Sequence, residues 1–241
     1  MCTERAHYDE FHKVRVNTPP CCRAKIIEMF KHTTEALSNE NITHFIQFGG
    51  LIGYYRNQHM VPYDSDMDLY MDVEYWKEPQ MLQIVQKLQQ KHGYRFEFRD
   101  SGKKMKIFYS NTNNNSIDVW PFKITLDKQQ RPWVKIHHWS AVAQPMINIF
   151  PLRNVQFEGT WTYVPRKPKE VLDLQYGKGY WEKEIDCKFH DDSKNCIPDF
   201  SVKHVKGSED HIIAYLLAFL LLFLIVMVLI FVLILKYVPK K

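Results

Sequence analysis

GGLIGYYRNQHMVPYDSDMD, from Gly49 to Asp68, is the stretch that decides the fold of this chain. A glycine pair opens it, Arg56 stands near its middle, and Asp64, Asp66 and Asp68 close it at every second position. In an extended strand, residues i, i+2 and i+4 share a face. A strand over 63–72 therefore places three carboxylates on one side, a crowding of like charge that calls for a cation. Carboxylate oxygens suit magnesium or manganese, and such an ion neutralises the charge that develops in phosphoryl transfer. Gly49 and Gly50 let backbone amides come close to a phosphate, and Arg56 offers a guanidinium fork for it. A calcium loop of the EF-hand kind needs a glycine inside the loop and a glutamate at its end. Here Met67, Leu69, Tyr70 and Met71 make the surroundings apolar and strand-like instead.

Outward from this stretch the periodicity alternates between helix and strand. Ile26, Ile27, Phe30, Thr34 and Leu37 predict a helix over 20–38, entered through Thr18-Pro19-Pro20 with Thr18 as its cap. A short strand over 43–48 runs into the glycines, and a helical turn over 51–56 follows them. Met81, Leu82, Val85 and Leu88 mark a helix over 78–92 that Gly93 stops. Strands are expected over 94–99 and 105–110, and a further one over 116–122 carries Asp118 between Ile117 and Val119. The aromatic stretch 123–148 yields no assignment. A hairpin turns at Glu158-Gly159, and a helix over 167–174 ends at Gly177. The hairpin lysines Lys103, Lys104 and Lys106 can reach a donor phosphate or form a solvated face. His137 and His138, between tryptophans, read as partly buried aromatics rather than ligands. Tyr176 to Trp181, YGKGYW, reads equally as a pocket wall and as a helix stop.

Of the 241 residues, 45% are hydrophobic and 14% aromatic, enough for a packed core. The net charge of +5 is spread along the chain, so no nucleic-acid partner is expected. Ile212 to Leu235 is an uncharged apolar run of 24 residues. As a helix it spans about 36 Å, against a hydrocarbon core of about 30 Å. A transmembrane helix is expected there, with a hydrophilic stalk over 183–211 and a short basic tail over 236–241. MCTERAHYDEFHKVRV is too polar for a signal peptide, which favours a tail anchor and a cytosolic domain. Against that stand Lys236, Lys240 and Lys241 beyond the helix, and the sequons at Asn41 and Asn114. The expectation leans to a lumenal domain. The cysteines are Cys2, Cys21, Cys22, Cys187 and Cys196, too few for a disulfide scaffold. Cys187 and Cys196 can close a small loop. Adjacent Cys21 and Cys22 suggest metal ligation, partners elsewhere, or plain buried thiols.

TPPCC at Thr18–Cys22, GGLIGYYR at Gly49–Arg56, VPYDSDMD at Val61–Asp68 and SIDVWPF at Ser116–Phe122 together resemble the LicD family. Phe150 to Trp181 resembles the closing segment of its domain, so the likeness covers residues 18–182. It implies an α+β fold, a nucleotidyltransferase-like mixed sheet flanked by helices, with residues 1–17 as a polar lead-in and one C-terminal transmembrane helix. It also implies an activity: a phosphorylated alcohol (ribitol 5-phosphate, glycerol phosphate or phosphocholine) passes from a CDP-linked donor to a hydroxyl of a glycan or glycoprotein. Asp64, Asp66 and Asp68 match the family's metal-binding aspartates, for Mg²⁺ or Mn²⁺. Asp118 matches its later carboxylate, a metal ligand or the base for the acceptor. Asp66, Asp68 and Asp118 form the catalytic set, and Gly49, Gly50 and Arg56 match the phosphate side. A structural zinc site within the family includes adjacent cysteines that match Cys21 and Cys22, but only Cys2 lies upstream of them here. Two departures stand out: the anchor lies at the carboxyl end and no stem domain precedes the catalytic part. The likeness implies work at a membrane in the Golgi or ER. The second reading is a non-catalytic, membrane-anchored protein that binds nucleotide or glycan beside a partner enzyme. A third, nucleotide addition to nucleic acid, would require a basic groove that the sequence does not display.

Overall fold

A computed structural model describes residues 18–77, 79–136, 141–179 and 181–182. All of them fall within the first of two compact units, Met1–Pro198, and the second is Asp199–Lys241. The polar lead-in, the stalk, the transmembrane run 212–235, His137, His138, Cys2, Cys187 and Cys196 lie outside the described residues. Among those described, no helix is long and apolar enough to cross a membrane.

The chain opens with α1 (Pro20–Asn39), whose buried face carries Ile26, Met29, Phe30 and Leu37 at helical spacing. Proline fills its first turn as expected, but Thr18 does not cap it. Pro19 holds the N-cap position, and the Thr18 amide donates to the Pro62 carbonyl at 3.1 Å. The entrance to α1 is thus pinned to the loop that leads into the aspartates. β1 (His44–Gln47) is buried along its whole length and runs directly into α2 (Phe48–Asn57). β2 (Asp66–Asp72), α3 (Pro79–His92), β3 (Arg95–Arg99), β4 (Lys104–Phe108) and β5 (Ser116–Leu126) follow. The stretch left unassigned from sequence holds β6 (Pro132–Ile136), β7 (Gln144–Pro145) and the single turn α4 (Met146–Ile149). The hairpin β8 (Arg153–Phe157) and β9 (Thr160–Val164) turns through Glu158 and Gly159, both at positive φ, before α5 (Pro168–Tyr176).

Seven strands form one mixed sheet in the order β1-β2-β5-β4-β3, with β6 and then β7 continuing from β5. Only β2 and β5 run parallel; the other pairs are antiparallel. β8 and β9 form a separate two-stranded sheet. Alternation gives the main sheet two unlike faces. Met67, Leu69 and Met71 of β2, Ile117 and Val119 of β5, and Met105 and Ile107 of β4 all enter one core with the apolar sides of α1 and α3. The alternate positions carry the polar residues, so folding the apolar face fixes where those charges stand. Toward β1 the polar face gives way to an aromatic cluster. Phe45 meets Tyr70 at 5.5 Å, Phe122 at 5.4 Å and Phe150 at 6.5 Å between ring centroids.

Phe45 is fully buried at the centre of that cluster. Replacing it with alanine leaves a cavity that three fixed rings cannot fill. Phe45→Ala is expected to lower stability by about 3–5 kcal/mol, read from the urea midpoint at unchanged slope.

Candidate functional site

Register turns the alternating acids into a row. Asp68 of β2 stands opposite Asp118 of β5, Asp118 opposite Lys106 of β4, and Lys106 opposite Glu97 of β3. A neighbouring row reads Asp66, Ser116, Phe108 and Arg95 across the same four strands. Asp66, Asp68 and Asp118 therefore share one face of two adjacent parallel strands, which are about 4.8 Å apart. Gln47 of β1 pairs with Asp68 from the other side, buried on the same face.

Three negative charges at this spacing repel, and the structure records both the strain and its relief. The Asp68 carboxyl is pushed well above the usual carboxylate range, first by burial and then by the charges of Asp66 and Asp118. Two groups oppose that shift: the Trp120 indole, which donates to Asp68 at 3.0 Å, and the Lys104 ammonium. Asp118 is held more firmly still. Lys104 ion-pairs with one oxygen, Lys106 with the other at 3.0 Å, and the Ser116 hydroxyl donates to it at 2.9 Å. Lys104 also lies 4.4 Å from the centroid of the Trp120 ring. The lysines that sequence left between phosphate ligand and solvated face are thus part of the site. Their signal was the K-M-K alternation at 104–106, legible only once β4 is known to adjoin β5.

The other expected residues divide. Asp64 lies outside the strand, in the turn before it, where its amide donates to the Val61 carbonyl at 3.0 Å. The alternation argument thus holds for Asp66 and Asp68 alone. Asp64 is nonetheless buried, directly against Gly49, and a Cβ at Gly49 would overlap its carboxylate. The glycine pair does not precede the helix but forms part of the first turn of α2. The turn from β1 is sharp, with Phe48 at φ 50°, and no side chain caps the helix. First-turn amides of such a helix favour an anion. Gly50 needs no such clearance, since a Cβ there would meet Met67 and Ile46 at ordinary contact distance. Arg56 stands apart from the glycines. It lies almost two helical turns further along α2, about 10 Å by helical rise, where its guanidinium donates to the Trp181 carbonyl. Arg56 anchors the closing segment.

That segment adds a residue that sequence left open. The Tyr176 hydroxyl is pushed far up by burial and then by Asp68 and Asp64, which places it beside the acids. Trp181 packs edge-on against Tyr55 at 4.7 Å and donates its indole N–H to Asp173 at 2.8 Å. YGKGYW is therefore a wall of the site as well as a helix stop, although Tyr180 lies outside the described residues.

As donors, Asp66 and Asp68 suit a hard divalent cation, which would relieve the repulsion that lifts the Asp68 carboxyl. Among the described residues no three His, Cys, Asp or Glu side chains are arranged as a ready metal cage. The lysines account for this, because they hold Asp118. Zinc at Cys21 and Cys22 is corrected outright. Both cysteines are disulfide-bonded, so neither sulfur is a thiolate for a metal.

Residues 41–167, just over half of the chain, match the family described as LicD/FKTN/FKRP, nucleotidyltransferase domain. Among curated proteins the chain is similar to ribitol 5-phosphate transferase FKRP of Mus musculus and of Homo sapiens. Each is 26% identical over 172 residues, 68% of this chain and 34% of the relative. The chain thus spans about a third of the length of these relatives. It is also 24% identical over 161 residues to an uncharacterized protein, RP689, of Rickettsia prowazekii, 66% of this chain and 55% of that one. Among solved structures, the lincosamide antibiotic adenylyltransferase LnuA aligns with a TM-score of 0.36 at 12% identity, over 68% of this chain and 89% of that one. The antibiotic-resistance factor ANT(2'')-Ia aligns at 0.39 and 16%, over 59% and 66%. At such scores these two alignments carry no weight.

Two substitutions probe the geometry without substrate. Gly49→Ala should displace Asp64 and destabilise the domain by roughly 1–3 kcal/mol, measured by urea unfolding. Asp68→Asn should do the opposite. A native carboxyl pushed above its ordinary value of 3.8 holds its proton more tightly than the unfolded chain does. Its ionised form therefore costs stability once the pH rises past that value. In chelator, the asparagine variant should melt higher than the parent at pH 7, with the gain fading as the pH falls below about 4.

Proposed function

This chain belongs to the LicD/FKTN/FKRP nucleotidyltransferase family, and we propose that it transfers a phosphorylated alcohol from a CDP-activated donor to a glycan hydroxyl. The observation that carries the reading is the register of β2 and β5, which sets Asp68 against Asp118 on the face shared with Asp66. Ribitol 5-phosphate is the favoured cargo, from the likeness to proteins named for it, with glycerol phosphate and phosphocholine as alternatives.

In the proposed reaction, the acceptor hydroxyl oxygen attacks the phosphorus that carries the alcohol. A new P–O bond forms to the acceptor, the bond to the bridging oxygen breaks, and CMP leaves with that electron pair. Asp118 takes the acceptor proton. Its carboxylate is the one that Lys104, Lys106 and Ser116 orient. The first-turn amides at Gly49 and Gly50 receive donor phosphate oxygens, with Asp64 setting the shape of that turn. Tyr176 and the closing segment wall the site on the side of Asp64 and Asp68 and limit access of water. A magnesium or manganese ion held by Asp66 and Asp68 supplies neutralisation of diphosphate charge when bound.

We place the domain in the lumen of the Golgi or ER, anchored by the apolar run 212–235. The disulfide state of Cys21 and Cys22 supports this, because such bonds persist in oxidising compartments. The non-catalytic reading has one observation in its favour: Asp118 is engaged by two lysines rather than open to a proton.

The full chain with Mn²⁺ is expected to release CMP from one of CDP-ribitol, CDP-glycerol or CDP-choline when a glycan acceptor is supplied. Asp66→Ala and Asp118→Asn should each bring release to background with the circular dichroism spectrum intact. Full activity in either variant, or CDP binding with no turnover across the panel, would sink the transferase assignment.

A further inference from the structure

On the side of Asp118 away from the glycine pair, the same sheet face opens into a cavity of about 600 Å³. Its walls carry Arg95 and Arg99 of β3, Lys104, Lys106 and Phe108 of β4, and Asn114 from the following loop. We infer that this groove holds the acceptor by a phosphate it already carries, with Arg95 and Arg99 as the residues that select it. The inference rests on the transferase reading above and names the chemical class of the acceptor.

Three features carry it. First, the cations are held in place rather than waving in solvent. Glu97 ion-pairs with both arginines, and the Arg95 guanidinium lies 4.0 Å from the centroid of the Phe108 ring. Lys104 and Lys106 have only 14% and 21% of their side chains exposed. Restrained guanidinium forks suit the tetrahedral oxygens of a phosphate, which they can grip with two parallel hydrogen bonds. Second, the charge is one-sided. Four cations face Glu97, Asp100 and Asp118, so an added anion improves the balance and a neutral sugar does not. Third, the groove begins at the proposed base. Lys104 and Lys106 touch Asp118 and also line the cavity. From β5 to β3 is two strand spacings, about 10 Å. A sugar or polyol phosphate can bridge that distance, its phosphate at the arginines and a free hydroxyl at Asp118. The donor phosphates, received at Gly49 and Gly50, lie on the other side of the acids, so the two anions need not compete.

The test is calorimetric titration of the full chain with ribitol 5-phosphate and with ribitol, in the presence and absence of saturating CDP and Mn²⁺. Ribitol 5-phosphate should bind at least tenfold more tightly than ribitol and should still bind when CDP is present. Arg95→Gln/Arg99→Gln should weaken ribitol 5-phosphate at least tenfold while the CDP affinity stays within twofold. If the double variant loses its fold, Arg99→Glu, at a side chain 53% exposed, carries the same expectation. Displacement of ribitol 5-phosphate by CDP would overturn the proposal and assign the groove to the donor. Equal binding of ribitol and its phosphate would overturn it as well. Failure of the transferase reading itself has another signature: neither CDP binding nor CMP release by the unaltered chain, with ribitol 5-phosphate still held at the arginines. That result overturns the acceptor role and leaves an anion site.

Discussion

Everything at the polar face follows from two carboxylates set opposite one another on neighbouring parallel strands. Asp68 and Asp118 cannot both be ionised at that spacing without help. Help comes from different directions: an indole for Asp68, and two ammonium groups and a hydroxyl for Asp118. The outcome is asymmetric. The Asp68 carboxyl is pushed toward its neutral form, whereas Asp118 is surrounded by partners that favour its charge. Two residues of the same type thereby acquire different chemistry, one suited to a cation and one to a proton.

The apolar face makes this crowding affordable. Burial of Met67, Leu69, Met71, Ile117 and Val119 fixes the register of β2 on β5. A slip of one residue would send those five side chains to the polar face and the aspartates into the core. The local repulsion is small beside that penalty. The site is therefore strained in its electrostatics but not in its backbone, apart from the sharp turn at Phe48.

Much of this was legible in sequence, and the misses have physical reasons. Asp66 and Asp68 declared themselves through period-two alternation, and Asp118 through its place between Ile117 and Val119, because those signals are local. The partners of Asp118 were not legible as partners. Lys104 and Lys106 join it only through the β4–β5 pairing, which no local pattern encodes. Asp64 was misread because the alternation continues two residues beyond the strand, into a turn governed by the Val61 carbonyl. Arg56 was misread because proximity in sequence to the glycines is distance along a helix. Thr18 lost its capping role because Pro19, extended at ψ 141°, occupies that position itself. The adjacent cysteines offered metal and disulfide equally, since thiols serve either end and compartment decides between them.

The hold of Arg56 on the Trp181 carbonyl joins residues 125 apart in sequence. It fastens the far end of the glycine helix to the last part of the domain to leave the ribosome. The acids and the glycine turn are synthesised early, and the tyrosine that walls them arrives more than a hundred residues later. A nascent chain thus holds its charges bare until the final segment docks. For that interval the half-built pocket is a wet, repulsive cleft, and assembly of the domain is governed by its slowest, longest-range contact.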